Sequence, residues 1–418
     1  MRVTAYAFAA LALAGPAFAQ PVAIVGAQVH TVSGEVLENA TVVVTDGRIT
    51  AVGAGIAAPA GARVIDGRGK WVTPGLVNSF TALGLSEVGS LPETNDASSR
   101  GDRGVAATFM PWEALNPDSV LWQPARNEGV TSVVEVPSGG VVSGQAALVD
   151  TAGSTAADFL RKAPVAWVLN FGAASGGQGP ASRGEALGAI RTLLADAKAF
   201  PARKAAYEQG SSRNLAAEGA QLEALQPVVT GDALVLVNVD RSSDILLVLG
   251  LAQDFGLKVA IVGGAEAWKV APELAAAKVP VLTGALDNLP ADFSSLGARQ
   301  ENAAILRAAG VPVILTAGTR ETFNVRKIRQ HAGNAVAYGL PWAEALRAVT
   351  LAPAEVFGAA DDIGSIAAGK VANLVVWSGD PFEFTTDAEH VFVKGQEVQG
   401  PSRQDRLAER YRTGKRGQ

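Results

Sequence analysis

The chain has 418 residues, 48% hydrophobic and 18% charged, with 46 glycines; this excludes a disordered chain and suits a large barrel with a smaller satellite. Lysine plus arginine number 35 against 40 acidic residues, net charge -5, and no basic block precedes the tail RLAERYRTGKRGQ, which argues against a nucleic-acid partner. Cysteine is absent, so disulfides, thiolate metal sites and a lipid-modified cysteine are excluded.

Residues 1–19 read as an export signal. Arg2 precedes an apolar run from Ala5 to Ala14, and Ala17-Phe18-Ala19 is a small-x-small cleavage pattern. The run falls short of the about 20 residues a membrane span needs, so cleavage after Ala19 and a soluble periplasmic or secreted protein are expected. VAIVGAQVHTVSG and ATVVVTDGRITAVG then carry β-branched residues in near alternation between turn residues, as in a hairpin sheet. At the far end GKVANLVVWSGDPF and AEHVFVKGQEV repeat that style, so both ends are expected to build one small β domain, residues 20–72 and 366–402.

Between them lie GVTSVVEVP, APVAWVLNFG, DALVLVNVD, GLKVAIVGG, KVPVLTG and GVPVILTAG, alternating with helical patterns such as SDILLVLGLAQDFG and RQENAAILRAAG. Repeated βα units predict a parallel sheet buried on both faces, and the length of residues 73–365 favours an eight-stranded barrel over a doubly wound sheet. VPSGGVVSGQ and NFGAASGGQGPASRG lack a P-loop ending and a GxGxxG fingerprint, so they read as long strand-to-helix loops. Residues 403–418 read as a polar tail.

Four stretches together resemble the amidohydrolase superfamily, and within it the exported imidazolonepropionase-like group: TVVVTDGRITAVG, VIDGRGKWVTPGLVNSF, the middle βα units, and LRAVTLAPAEVFGAADDIGSIAAGKVANLVVWSGDPF. The resemblance implies an α/β fold, a (β/α)8 TIM-like barrel with a small β-sandwich domain built from both chain ends. It also implies hydrolysis of C–N bonds by water activated on Zn or another divalent metal.

The family's first barrel strand carries Asp-x-His-x-His after Pro-Gly-Leu; here that stretch reads Asn78, Ser79, Phe80, Thr81, Ala82. The resemblance puts Asn238 at the fifth-strand histidine, Gly263 at the sixth-strand histidine and Ala317 at the eighth-strand aspartate, and leaves the fourth-strand position unassigned. Three histidines cannot supply the four of a binuclear site, and His30 and His390 belong to the β domain. No metal and no other cofactor is therefore expected. His331 reads first as a helix-face residue, and Glu87, Glu93, Asp96, Asp240, Glu266 and Glu321 first as solvated loop acids, although an oxygen-ligand site is conceivable.

Three functional readings follow. The first is a pseudoenzyme, a non-catalytic homologue paired with an active amidohydrolase or with itself. The second is a hydrolase of non-peptide C–N bonds with a rearranged site, its catalytic candidates being Asp240, Glu266 and His331. The third is a small-molecule binding protein. Candidates to line its pocket are Asn78, Phe80, Thr81, Ala82, Asn238, Arg241, Gly263, Ala317 and Arg320. None of the three readings needs a membrane span in the mature chain.

Overall fold

The computed structural model describes residues 20–99, 101, 103–171, 182–286, 289–290, 293–318 and 322–412. The expected export signal, Arg320, Glu321 and most of the second Gly/Ser-rich segment lie outside them. Sixteen strands form two sheets among the described residues.

The first sheet holds β1 (Val22–His30), β2 (Val36–Thr45), β3 (Arg48–Ala54), β4 (Arg63–Asp66) and β5 (Trp71–Pro74) from the front of the chain. From the back come β14 (Leu374–Trp377), β15 (Ala388–Val393) and β16 (Gln396–Glu397). The ends meet where β5 pairs antiparallel with β14, Trp71 opposite Trp377 and Pro74 opposite Leu374. Hydrogen bonding makes this one continuous sheet, β16-β15-β14-β5-β1-β2-β3 with β4 beside β1. It curls on a core of Ile24, Val42, Ile65, Val72, Leu374 and Phe392, and bonds such as Ile49 N–H to Lys370 O tie its far edge back to the chain before β14.

Pro74-Gly75 switches the chain from this sheet to the barrel. A Cβ on Gly75 would lie 2.1 Å from Thr131 Oγ1, so the close approach of the two strands requires glycine there. The barrel sheet runs β6 (Leu76–Thr81), β7 (Val130–Glu135), β8 (Val142–Asp150), β9 (Leu160–Asn170), β10 (Leu234–Val239), β11 (Lys258–Gly263), β12 (Val281–Thr283) and β13 (Val313–Leu315). Val77, Val134, Leu148, Val168, Leu236, Val262, Leu282 and Ile314 fill its interior, and helices cover the outside.

The expectation of an unbroken series of parallel βα units does not hold at β8, which runs antiparallel to both neighbours. A parallel connection needs a crossover of a dozen or more residues, and only Val136–Val141 separate β7 from β8. Gly139 and Gly140, at φ +98° and +65°, reverse the chain instead. VPSGGVVSGQ, read as a strand-to-helix loop, is thus a hairpin turn and the start of a strand.

No backbone ladder joins β13 to β6 in the sheet. The Asn78 carboxamide spans that seam: its Nδ2 donates to Ala317 O at 2.7 Å, and Ala317 N–H donates to Asn78 Oδ1 at 3.3 Å. At the opposite end of the barrel, Asp150 is fully buried and accepts from Ser132 Oγ, Arg161 and Asn373 Nδ2, with Lys394 Nζ at 3.3 Å. Arg329 of the helix Ile328–Ala337 binds Glu128 and donates to the carbonyls of Pro381, Glu383 and Thr386. Both clusters join the barrel to the first sheet.

Replacing Asn78 with leucine, of similar volume, leaves a buried N–H and C=O of Ala317 without partners. The expected cost is about 2–3 kcal/mol, read as a lower urea midpoint at unchanged slope. An unchanged midpoint would mean that the seam closes without the carboxamide.

Candidate functional site at the barrel mouth

The C-terminal ends of the strands enclose a cavity of about 240 Å³. β6 and the residue after it contribute Phe80, Thr81 and Ala82; the turn after β7 contributes Val136, Pro137, Ser138 and Gly139; β9 and β10 contribute Asn170 and Asn238. Gly318 and Thr322 close one side, and Ser86, Gly89, Asn95 and Ala97 of the long β6–β7 connection close the other. The described lining contains no ionisable side chain.

Asn238 and Asn170 are register partners on β10 and β9. Asn238 Nδ2 donates to Asn170 Oδ1 at 2.6 Å, and Asn170 Nδ2 donates to Gly140 O and Ser143 Oγ. Asn170 is therefore fully engaged, whereas Asn238 spends one N–H and keeps its carbonyl oxygen for a guest. Phe80 packs onto the apolar barrel interior, placing a ring over the floor of the mouth.

The other sequence candidates lie around this cavity and outside it. Asn78 and Ala317 are buried in the seam, and Arg241 is exposed just before the helix Ser242–Phe255. Gly263 sits at φ +86°, where a Cβ would lie 2.5 Å from Asp240 Oδ1. A larger residue there would strain the backbone and push the Asp240 carboxylate aside. Arg320 falls among the residues not described.

Asp240 and Glu266 are brought together at the ends of β10 and β11, Glu266 N–H donating to Asp240 O. Each carboxylate serves the backbone. Asp240 accepts from Ala265 N–H; Glu266 accepts from the Ser242 N–H and hydroxyl and from Gly297 N–H, and pairs with Lys269 at 2.8 Å. Burial pushes the Glu266 carboxyl up, but the hydrogen bonds from Lys269, Ser242 and Gly297 outweigh it and hold it down at about 2. His331 is buried on the helix Ile328–Ala337 and its Nδ1 accepts from Leu286 N–H, fixing the chain after β12. These three groups belong to the loop framework, and none lines the cavity.

A divalent ion of the kind the resemblance implies needs imidazole or carboxylate donors. The donor set here is three carboxamides, Asn95, Asn170 and Asn238, of which the last two are bonded to each other, and a few hydroxyls, with Phe80 and Ala82 offering none. It does not fit such an ion, and no group of three or more His, Asp or Glu able to hold one occurs among the described residues. What the mouth can do is bind: hydrogen-bond a neutral polar group at Asn238 and cover an apolar one with Phe80, Val136 and Pro137.

Sequence reading missed Asn170, Ser138, Asn95, Ser86 and Thr322. For Asn170 a signal existed, since AWVLN and LVLVN end alike, and the end of the fourth barrel strand is Asn170. It also missed Glu135, at the end of β7, which is fully buried with neither carboxylate oxygen partnered.

Because Glu266 has a folded pKa below its ordinary value, its contribution to stability is present above the ordinary glutamate range and is lost as pH falls towards about 2. Glu266→Gln is expected to cost about 1–3 kcal/mol at pH 7 and to flatten the decline of the urea midpoint between pH 5 and 3. Equal acid slopes in the two proteins would remove the clamp role assigned to this carboxylate.

Residues 256–398 match the model of the amidohydrolase family. The chain is 23% identical over 374 residues to the amidohydrolase tasK of Hapsidospora irregularis, covering 81% of this chain and 37% of that protein. It thus spans little more than a third of the length of that curated relative. An amidohydrolase structure from Thermotoga maritima MSB8 superposes with a TM-score of 0.82 at 28% identity, covering 91% of this chain and 100% of that one. An adenosine deaminase from Xanthomonas campestris, solved with bound zinc, shares the fold at a TM-score of 0.54 and 18% identity, covering 94% of this chain and 97% of that one. Over residues 256–398 the chain is thus similar in sequence to the amidohydrolase family, and over nearly its whole length it is similar in fold to an amidohydrolase.

Proposed function

We propose that this protein is a non-catalytic member of the family, a pseudoenzyme whose barrel mouth binds a small uncharged molecule without metal-activated water. The observation that carries the reading is the donor set of the mouth cavity. Its ligand positions hold Phe80, Ala82 and Asn238, and Gly263 and Ala317 stand at the two others. The Asn170–Asn238 pair replaces charge with a neutral hydrogen bond and leaves the Asn238 carbonyl oxygen without a partner among the described residues. Export to the periplasm, membership of the imidazolonepropionase-like group and association with an active homologue or a second copy belong to the same reading, which the N-terminal pattern and the quoted motifs support.

A second reading, hydrolysis of non-peptide C–N bonds at a rearranged site, draws on the name of the curated relative and on the matched family region. It requires Asp240, Glu266 or His331 to leave its backbone partners and reach a substrate in the mouth.

Elemental mass spectrometry separates the two. The mature protein, purified without chelators and offered Zn²⁺, Mn²⁺ and Fe²⁺, is expected to retain less than about a tenth of an equivalent, since no closed set of imidazole and carboxylate donors occurs among the described residues. Near-stoichiometric metal, lost on Asp240→Ala or His331→Ala but kept on His390→Ala, would return the protein to metal-dependent hydrolysis. Co-purification of an active homologue from the source cells would support the pairing, and its absence across salt conditions would leave binding as the function.

A further inference from the structure

Glu135 is the acid that the reading above does not use. Its register partner on β6 is Thr81, which lines the mouth cavity and whose Oγ1 is likewise buried without a partner. The residue after Glu135, Val136, also lines the cavity. Val134 and Val136 face the barrel interior and Val133 the outer layer, so alternation turns Glu135 outward. There the β6–β7 connection lies over the strand ends, held by Ser138 N–H to Ala97 O and by Ala106 N–H to Val142 O. The same connection supplies Ser86, Gly89, Asn95 and Ala97 to the cavity wall.

A buried carboxyl with two unpartnered oxygens is tolerable as the neutral acid and very costly as the anion. Burial is the one cause that raises its pKa well above the ordinary value. None of the described charged groups on the elements around it bonds to its carboxyl. β6 has none; Asp150, at the far end of β8, binds Ser132 and Arg161; Arg126, on the helix Trp122–Asn127 that packs on β7, donates to Thr151 O. On β15, Glu389 pairs with Lys70 and His390 with Glu397. On the connection, Arg103 donates to Leu215 O, Glu87 meets Asn116, Glu128 binds Arg329, and Glu93, Asp96, Glu113 and Asp118 complete its described charged groups.

We propose that Glu135 is a proton-dependent latch on the mouth cavity: as a neutral acid it lets the β6–β7 connection lie closed, and as an anion it draws in water and frees that wall. This deepens the binding reading, because it makes access to the cavity depend on pH. The sign follows from linkage. The folded state holds a proton that the opened state, with an ordinary glutamate, releases; closure is complete below the ordinary glutamate range and weakens as pH rises towards the folded pKa.

Hydrogen exchange of the full chain, followed by mass spectrometry from pH 6 to 10 and corrected for intrinsic base catalysis, tests this without any ligand. Peptides covering residues 82–99 and 130–142 are expected to open more as pH rises, by up to about tenfold per unit until the folded pKa is passed, while the first-sheet peptide 36–54 stays level. In Glu135→Gln the opening of the first two is expected to be independent of pH within twofold. Glu135→Leu, which removes the polar group altogether, serves the same comparison should the glutamine variant fold poorly. A neutral carboxylic-acid infrared band present at pH 7 and missing from either variant is the second expected result. The same pH dependence in wild type and variants, or no such band, would overturn the latch. Stoichiometric metal in the preceding experiment would sink the pseudoenzyme reading and leave this result standing.

Discussion

Closure of the barrel across the seam between β13 and β6 is the constraint on which the rest of the mouth depends. Seven strand pairings carry the sheet from β6 round to β13, and one side chain spans the remaining gap. Asn78 suits this because a carboxamide is a donor and an acceptor held side by side, which is what a neighbouring strand would present. An aspartate there, as the family resemblance leads one to expect, would accept from Ala317 N–H and repel Ala317 O. Alanine at 317 fits the same logic, since a second carboxylate beside the seam would be buried next to the backbone groups that Asn78 now satisfies.

Neutrality then propagates through the mouth. Without ionised ligands there is no charge for a metal to balance, and with no metal an imidazole cluster would repel itself on protonation. Phe80 rests on the apolar interior and Asn238 donates to Asn170, so these positions hold neutral groups that cost less to bury than ionised ones. Such a mouth can also keep Glu135 uncharged. In these surroundings burial is the dominant influence on the acid.

The large features of the fold were legible because they rest on periodicity. β-branched alternation at both ends foretold one shared sheet, and repeated apolar runs foretold the barrel, as the pairing of β5 with β14 and the eight barrel strands bear out. The reversal at β8 was written in Gly139-Gly140 between apolar runs, a hairpin signal masked by the expectation of a βα crossover. The site was legible in what its positions lack and opaque in what they do. That Asn238 meets Asn170 depends on strand register, and that Glu266 clamps the backbone at Ser242 and Gly297 depends on loops that no local pattern describes. Glu135 looked like any acid at a strand end, because burial without a partner is a property of everything around it.

The asymmetry between the two ends of the barrel explains how such a mouth is compatible with a stable fold. Asp150 and Arg329 gather their partners at the junction with the first sheet, so the buried charge that holds the two units together lies away from the cavity. Bidentate and multiply bonded charges of this kind are costly to break, whereas the mouth contributes neutral contacts that can be exchanged singly. In barrels of this class the C-terminal face carries chemistry and the N-terminal face carries stability. Gly263 shows the same adaptation: at φ +86°, with Asp240 Oδ1 2.5 Å from where a Cβ would lie, a histidine there would strain the backbone and displace that carboxylate. Substituting ligands back into the mouth meets a backbone built around their loss.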